Sequence, residues 1–422
     1  MARDYRLISS DSHLEVRPEL WLHRVPEKYR DRAPRTVYLP DGGEAILIEG
    51  LAPQELEFLD HRAGRAVDQW RPFGLTREDM AGTGPPEQRL REMDMDGLDA
   101  EVLFPSQTAG PGIWRNIEHD DAYKAVVRAY NDWLAEEYCS VAPDRLIGLG
   151  TIPITNVEDA IAEMEHCVRL GHKGIVLADW PSGKPYPTPE DDRFWAAAVA
   201  LGIPLTVHVA FGGFERAPGQ PTFKYPKEDP EILGRIRRGL VDWVGSFGGP
   251  PALSLAQLAL SGALDRFPTL NIFFAETRLG WVPFWLERAD VWYQRHLPWA
   301  QRYLGFEPMQ RLPSEYIREH ISFSVFYERV AIELRHHVGV NRIMFATDFP
   351  HVECEWPNSK AVIDKIYADV PQDERHKIWA GNAVEFFKLR STPRSSAPPA
   401  TPRLTITGSA GPSTASSTDP SA

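Results

Sequence analysis

Short apolar runs alternate with longer segments whose apolar positions recur every three to four residues, and this alternation persists through most of the chain. A short run bounded by turn residues reads as a buried strand, and a three-to-four spacing reads as an amphipathic helix. The runs fall at residues 5–10, 100–105, 146–152, 174–178, 204–209, 271–275, 321–325 and 342–346. Amphipathic segments cover residues 120–141, 157–170, 232–260 and 280–303. Eight strands with intervening helices predict an α/β fold, a (β/α)₈ TIM barrel spanning residues 1–390.

Two insertions interrupt the rhythm. Residues 36–50 carry Asp41-Gly42-Gly43 between β-rich runs, a hairpin signal that predicts a small insertion after strand one. Residues 211–230, rich in Gly and Pro, follow the fifth strand and are long for a βα loop. They are a candidate active-site cover, and a passive surface loop fits the pattern equally well. From Ser391 the composition turns to Ser, Thr, Pro, Ala and Gly, so residues 391–422 are expected to be a disordered tail. No internal repeat is visible.

The chain of 422 residues, 43% hydrophobic and 25% charged, is that of an ordinary globular protein. Its 46 basic against 59 acidic residues give a net charge of −13, which repels nucleic-acid backbones and anionic membranes on average. Neither class of partner is expected. The three cysteines, Cys139, Cys167 and Cys354, are too scattered for a disulfide framework or a Cys-x-x-Cys site, which suggests reduced thiols and a cytoplasmic location. The first residues hold no apolar region of signal-peptide length, and no apolar stretch is long enough to span a bilayer.

Candidate chemistry collects at the strand ends. Asp11-Ser12-His13 ends strand one, His208 ends strand five, Glu276 ends strand six and Asp348 ends strand eight. Taken singly, each has an ordinary explanation: a strand His is usually a hydrogen-bonded core residue, and Asp and His commonly follow strands as turn or cap residues. Together they form a metal-binding set, because a parallel barrel brings strand ends to one mouth and imidazole with carboxylate suits a first-row divalent ion. Residues i and i+2 of a strand face one side, so Asp11 and His13 can hold one ion together. Asp348 neighbours them in a closed barrel, and His208 lies opposite. The segment after Asp348 adds His351, which can bond Asp348 or meet substrate or merely fix the turn, and Trp356, a candidate pocket wall. Glu276 and Arg278 read either as a salt bridge at the mouth or as functional groups, with Arg278 the candidate for a substrate carboxylate. His166, His172, His336 and His337 are assigned to structure or surface.

These residues carry a resemblance. Asp11-Ser12-His13, the His208 strand, Glu276 followed by Gly280-Trp281, Pro283 and Leu286-Glu287-Arg288, then Thr347-Asp348-Phe349-Pro350-His351 and Gly381-Asn382-Ala383, look like the second amidohydrolase family. That family includes aminocarboxymuconate semialdehyde decarboxylase and the non-oxidative aromatic acid decarboxylases. The resemblance covers roughly residues 6–389, and its most specific parts are the strand-eight motif and the terminal Gly-Asn-Ala. It implies a TIM barrel holding one divalent metal, zinc or manganese, on Asp11, His13, His208 and Asp348. The carboxylate at Asp11, where the muconate enzyme has histidine, resembles the aromatic decarboxylases. One departure stands out: decarboxylases of the family usually place a histidine where this chain has Glu276, so Glu276 or His351 would have to take over its proton handling.

The leading expectation is a metal-dependent carboxy-lyase acting on a substituted aromatic or unsaturated carboxylic acid, with Asp348, His351 and Glu276 as catalytic residues and Arg278 and Trp356 as substrate-binding residues. The alternatives are a hydrolase of an amide, lactone or ester using the same ion, and a non-catalytic barrel binding a small acid. The expected partner is therefore a small-molecule carboxylic acid or carbonyl substrate, with a homodimer left open.

Overall fold

The structure is a computed structural model, described for residues 3–56, 63–69, 71, 73–106, 110–184, 187–211, 249–304 and 306–390. Its strands are β1 (Ile8–Leu14), β2 (Arg35–Tyr38), β3 (Glu44–Leu47), β4 (Gln54–Glu55), β5 (Ala100–Pro105), β6 (Leu146–Gly148), β7 (Gly150–Thr151), β8 (Ile175–Leu177), β9 (Leu205–His208), β10 (Ile272–Ala275), β11 (Ile321–Val325) and β12 (Ile343–Phe345). β1, β5 and β6 pair in parallel, as do β7 through β12 in chain order. β6 and β7 are one stave interrupted at Leu149, so the parallel staves number eight. The barrel closes where β12 returns to β1: Asp348 N donates to Asp11 O at 3.0 Å and His13 N to Phe349 O at 2.8 Å. The fold is a TIM barrel.

Side chains alternate in and out along each stave, as the pleat requires. Ile8, Val102, Phe104, Ile147, Leu149, Val176, Phe273 and Met344 fill the barrel interior. Ala100, Ala275, Ala380 and Ala383 leave room for them, and Phe387 enters from below with its ring 6.0 Å from that of Phe273. The outward set, among them Leu103, Leu177, Leu205, Val207, Ile272, Phe274 and Phe323, packs against the helices. In the helix Asp120–Trp133, Tyr123, Val126, Val127, Tyr130 and Trp133 are buried, and Asp120 and Asp121 sit at the positive end of its dipole. Helix Val157–Leu170 starts where the Asn156 side chain accepts from Asp159 N and stops at Gly171, whose φ of +94° ends the helix.

Several expected boundaries shift. Strand one runs from Ile8 to Leu14 instead of 5–10, because the polar Ser-Ser-Asp-Ser-His stretch is extended even though it breaks the apolar run. The helix expected over 120–141 ends as regular α-helix at Trp133 and continues through a π turn, Leu134–Tyr138, and a 3₁₀ turn, Cys139–Val141. The insertion after strand one is a three-stranded antiparallel sheet of β2, β3 and β4, turning at Gly42 with φ +87°. Glu44 of this flap is buried between Arg17 and Arg77, and Arg77 Nε donates to Glu15 O at 2.9 Å, which ties the flap to the end of β1. The candidate cover lies outside the described residues apart from Phe211, as do the start of the segment expected over 232–260 and the tail 391–422. Among the described residues no helix is long and apolar enough to cross a membrane.

Candidate metal centre and active site

The end of β1 departs from regular pairing between Ser9 and Ser12. A bulge re-aims side chains and frees backbone polar groups that must find other partners. Serine and threonine hydroxyls supply them: Ser9 Oγ donates to Asp11 O at 2.8 Å, Ser10 Oγ to Phe345 O at 2.7 Å, and Thr347 N donates to Ser9 Oγ at 2.9 Å. These bonds, with Ser12 Oγ donating to Ser9 Oγ at 3.0 Å, account for three serines in a strand that is buried throughout and leave the Asp11 carboxylate to the cluster.

Other stave ends turn inward through left-handed backbone. Val209, Glu276, Arg278 and Asp348 have φ of +61°, +50°, +58° and +61°. Each such conformation costs a non-glycine residue about 1–3 kcal/mol, and this kind of strain gathers at functional sites. Here it follows His208 and lies on Glu276, Arg278 and Asp348 themselves.

The result is a convergent cluster. His13 Nε2 lies 3.4 Å from both Asp11 Oδ1 and Asp348 Oδ1 and 3.2 Å from His208 Nε2. His208 Nε2 lies 3.7 Å from Asp11 Oδ1 and 3.4 Å from Glu276 Oε2. His13 Nδ1 lies 3.2 Å from the carbonyl oxygen of Pro105. A carbonyl only accepts, so that contact puts the proton on Nδ1 and turns the Nε2 lone pair into the cluster. Both Asp11 carboxylate oxygens and Asp348 Oδ1 are buried without a hydrogen-bond partner. Buried carboxylate oxygens beside imidazole nitrogens are costly unless a cation joins them, and the donor set of two imidazoles with carboxylates fits a divalent first-row ion. Asp11, His13 and His208 have ligand atoms within 4.8 Å of one another, and so do His13, Glu276 and Asp348. Below them Phe104 forms an apolar floor, 5.2 Å from the His208 ring centroid.

His351 stands beside the cluster. Its ring stacks on His13 at 4.1 Å with the planes 18° apart, Nδ1 lies 3.3 Å from Asp348 Oδ1, and Nε2 lies 3.1 Å from Glu15 Oε1. Burial opposes the charge on His351, but Asp348 and Glu15 outweigh it and hold the pKa well above the usual imidazole value. Burial would raise Asp348, yet His351 and His13 hold it well below the usual carboxylate range. Burial pushes His13 down, helped by the charge on His351. Burial also lowers His208, but Asp11, Glu276 and Asp348 outweigh it and raise it. Burial, followed by the charge of Asp348, pushes Glu276 up to about 7.

Arg278 is buried next to Glu276, with Nη2 2.8 Å from Glu353 Oε1 and its guanidinium 4.2 Å from the Phe326 ring centroid. Trp356 is half-buried, donates Nε1–H to Glu92 O at 3.0 Å and packs against Phe349 at 5.4 Å. Its polar end is therefore engaged by the scaffold. Among the histidines assigned to structure or surface, His172 is buried between the carbonyls of Gly148 and Asn131, His166 meets Asp132, and His336 lies beside Glu374.

The sequence reading gave no role to Glu15, Phe104 or Glu353. Glu15 was accessible to it, since Asp11, His13 and Glu15 follow the strand's two-residue alternation. Phe104 and Glu353 carry no such signal, because an aromatic in a strand and an acid in a loop are usually ordinary.

A barrel with a convergent His/carboxylate cluster at the C-terminal ends of its staves matches what comparison with known proteins finds. The model of an amidohydrolase family matches residues 21–389. The chain belongs to that family. A gamma-resorcylate decarboxylase from a Rhizobium species is 28% identical over 342 residues, covering 76% of this chain and 91% of that one. The 2-amino-3-carboxymuconate-6-semialdehyde decarboxylase of Dictyostelium discoideum is 23% identical over 338 residues, covering 78% and 84%. The solved 5-carboxyvanillate decarboxylase of Novosphingobium aromaticivorans, complexed with manganese and 4-hydroxy-3-methoxy-5-nitrobenzoic acid, superposes with a TM-score of 0.63 at 21% identity, covering 91% of this chain and 96% of that chain.

Proposed function

We propose that the protein is a divalent-metal-dependent, non-oxidative decarboxylase of a hydroxylated or amino-substituted aromatic or unsaturated carboxylic acid. The observation that carries this reading is the cluster of Asp11, His13, His208 and Asp348, with its unsatisfied carboxylate oxygens, at a barrel mouth that also holds the buried cation of Arg278. The relatives' names supply the reaction class. Asp11, His13, His208 and Asp348 would hold the ion, zinc or manganese, which when bound supplies Lewis-acid polarisation of the substrate's oxygens.

The chain's own groups handle the proton. The carbon that loses carbon dioxide keeps the bonding electron pair and takes one proton in exchange. His351, held in its charged form by Asp348 and Glu15, is the store, and Asp348, 3.3 Å from His351 Nδ1, passes the proton to carbon. Glu276, pushed up to about 7 by burial and by the charge of Asp348, is a second acid beside His208, where relatives' histidine would be expected. Arg278 would orient an anionic group of the substrate and Trp356 would border the pocket. We further assign the protein to the cytosol, as its cysteines are free thiols, and leave a homodimer as a compatible assembly.

A hydrolase using the same cluster is the second reading, and Glu276 is the observation that favours it. Turnover of an acid in deuterium oxide separates the two: a decarboxylase leaves one deuterium at the carbon that carried the carboxylate. A product with its carboxylate intact and a cleaved amide, lactone or ester would overturn the proposal.

A further inference from the structure

The seam where the barrel closes is also where the metal cluster is assembled, since Asp11 and His13 come from β1 and Asp348 follows β12. This seam has no regular ladder. It is joined by an isolated bridge between Ser12 and Phe349 and by the two backbone hydrogen bonds that link Asp348 to Asp11 and His13 to Phe349.

A buried arginine lies against it. Helix Pro86–Asp96, which leads into β5, buries Arg89, Glu92, Met93 and Asp96, the i, i+3, i+4 and i+7 positions of one face. Arg89 is 1% exposed. It donates from Nη1 to His13 O at 2.9 Å, from Nη2 to Phe349 O at 3.4 Å and from Nε to Glu101 Oε2 at 2.5 Å. Its guanidinium also lies 4.5 Å from the Phe349 ring centroid. One side chain thus bridges the carbonyl of a ligand on β1 and the carbonyl of the residue that follows a ligand on β12. The same helix face continues the clamp: Glu92 O accepts from Trp356 Nε1, and Asp96 Oδ1 accepts from Ser359 N at 2.8 Å.

Filling that space would not require a charge. A buried ion pair is often no more stabilising than apolar side chains of similar volume, and its advantage is the geometry its fixed donors impose. The planar guanidinium reaches two carbonyls and a carboxylate at once, which neither lysine nor methionine can do.

We propose that Arg89, neutralised by Glu101, is a positioning residue for the metal centre that holds Asp11, His13 and Asp348 at ligating separation across the barrel seam. This rests on the metal-binding reading above, so the experiment begins with the full-length wild-type protein, whose affinity for manganese and zinc is measured by competition with a chelator. Absence of any binding by the wild type would remove the metal reading itself, and this inference with it.

Given wild-type binding, three variants are compared: Arg89→Lys, Arg89→Gln, and the double variant Arg89→Met with Glu101→Leu, which leaves no unpaired buried charge. For each, the metal affinity, the Tm of the metal-free protein and its rise on adding metal are measured. The expected result is a metal affinity weaker by on the order of 10- to 100-fold, the range typical of lost support behind metal ligands. The rise in Tm on metal addition should shrink at a fixed subsaturating metal concentration, while the metal-free double variant keeps a cooperative transition. Arg89→Lys, able to serve one carbonyl, should fall between wild type and the double variant. If the double variant fails to fold, Arg89→Lys and Arg89→Gln carry the test. A lowered metal-free Tm with unchanged metal affinity would reduce Arg89 to a structural role and overturn the inference.

Discussion

His13 and His208 reach each other from opposite sides of the barrel, their Nε2 atoms 3.2 Å apart. Asp11, Glu276 and Asp348 crowd the same point, so the protein presents a concentration of negative charge around two nitrogen donors. A cation placed there would satisfy oxygens that accept no hydrogen bond. Purified protein is therefore expected to carry about one equivalent of a divalent metal, to lose turnover on chelation and to recover it on metal addition. Metal analysis with activity before and after chelation checks this, and full activity in exhaustively metal-free protein would refute it.

In the proposed mechanism Asp348 serves both the cluster and the proton path, so its charge and its basicity should be separable from its size. Asp348→Asn retains an oxygen donor but removes both properties. A fall in kcat of ~10²–10⁴-fold is expected, the usual contribution of a positioned general acid or base. Metal content measured alongside the rate should remain at half or more of the wild-type level. A near-native rate would exclude Asp348 from proton transfer.

His351 touches Asp348 and Glu15, stacks on His13, and shares with His13 and Glu15 a set of donor atoms within 4.8 Å of one another that does not include Asp11 or His208. His351→Ala is expected to lower carbon dioxide release by at least about tenfold with metal content unchanged, and Glu15→Gln to lower it less. Glu276→Gln, which alters the His208 side of the cluster, is expected to act independently of His351→Ala. A double variant whose loss equals the larger single loss would place the two groups in one proton path instead.

The barrel floor and the tail should differ sharply in their contribution to stability. Phe387 is buried against Phe273 inside the barrel, and Phe387→Ala is expected to cost about 3–5 kcal/mol, the range for a large core aromatic. Truncation after Arg390 retains Phe387 and is expected to change neither Tm nor turnover, since the composition of residues 391–422 supports no packed core. Thermal melts of both variants check this, and a large drop in Tm on truncation would show that the tail docks.

How much of this was readable from the chain depended on the length of the signal. The eight staves were legible because each is a short apolar run, and the ligand candidates because each ends one. Strand one was displaced because its functional end is polar: Ser9 and Ser10 owe their burial to hydroxyl–backbone bonds with the segment around β12, far away in sequence, and Ser12 to hydroxyl contacts with Ser9 and Thr347. The π turn at Leu134–Tyr138 was hidden because its residues keep helical spacing while the backbone widens. Arg89 had no local signal at all. On a helix of Arg, Glu and Asp it resembles a solvated face, and its meaning arises only when β1 and β12 meet.

The most direct measurement is product analysis on metal-reconstituted protein given hydroxylated benzoic and unsaturated carboxylic acids in one set and amides, lactones and esters in another. Release of carbon dioxide from at least one acid, abolished by chelation and by Asp348→Asn, with no cleavage in the second set, is the expected result. No carbon dioxide from any acid, together with turnover of an amide, lactone or ester, would contradict the decarboxylase reading and assign the cluster to hydrolysis.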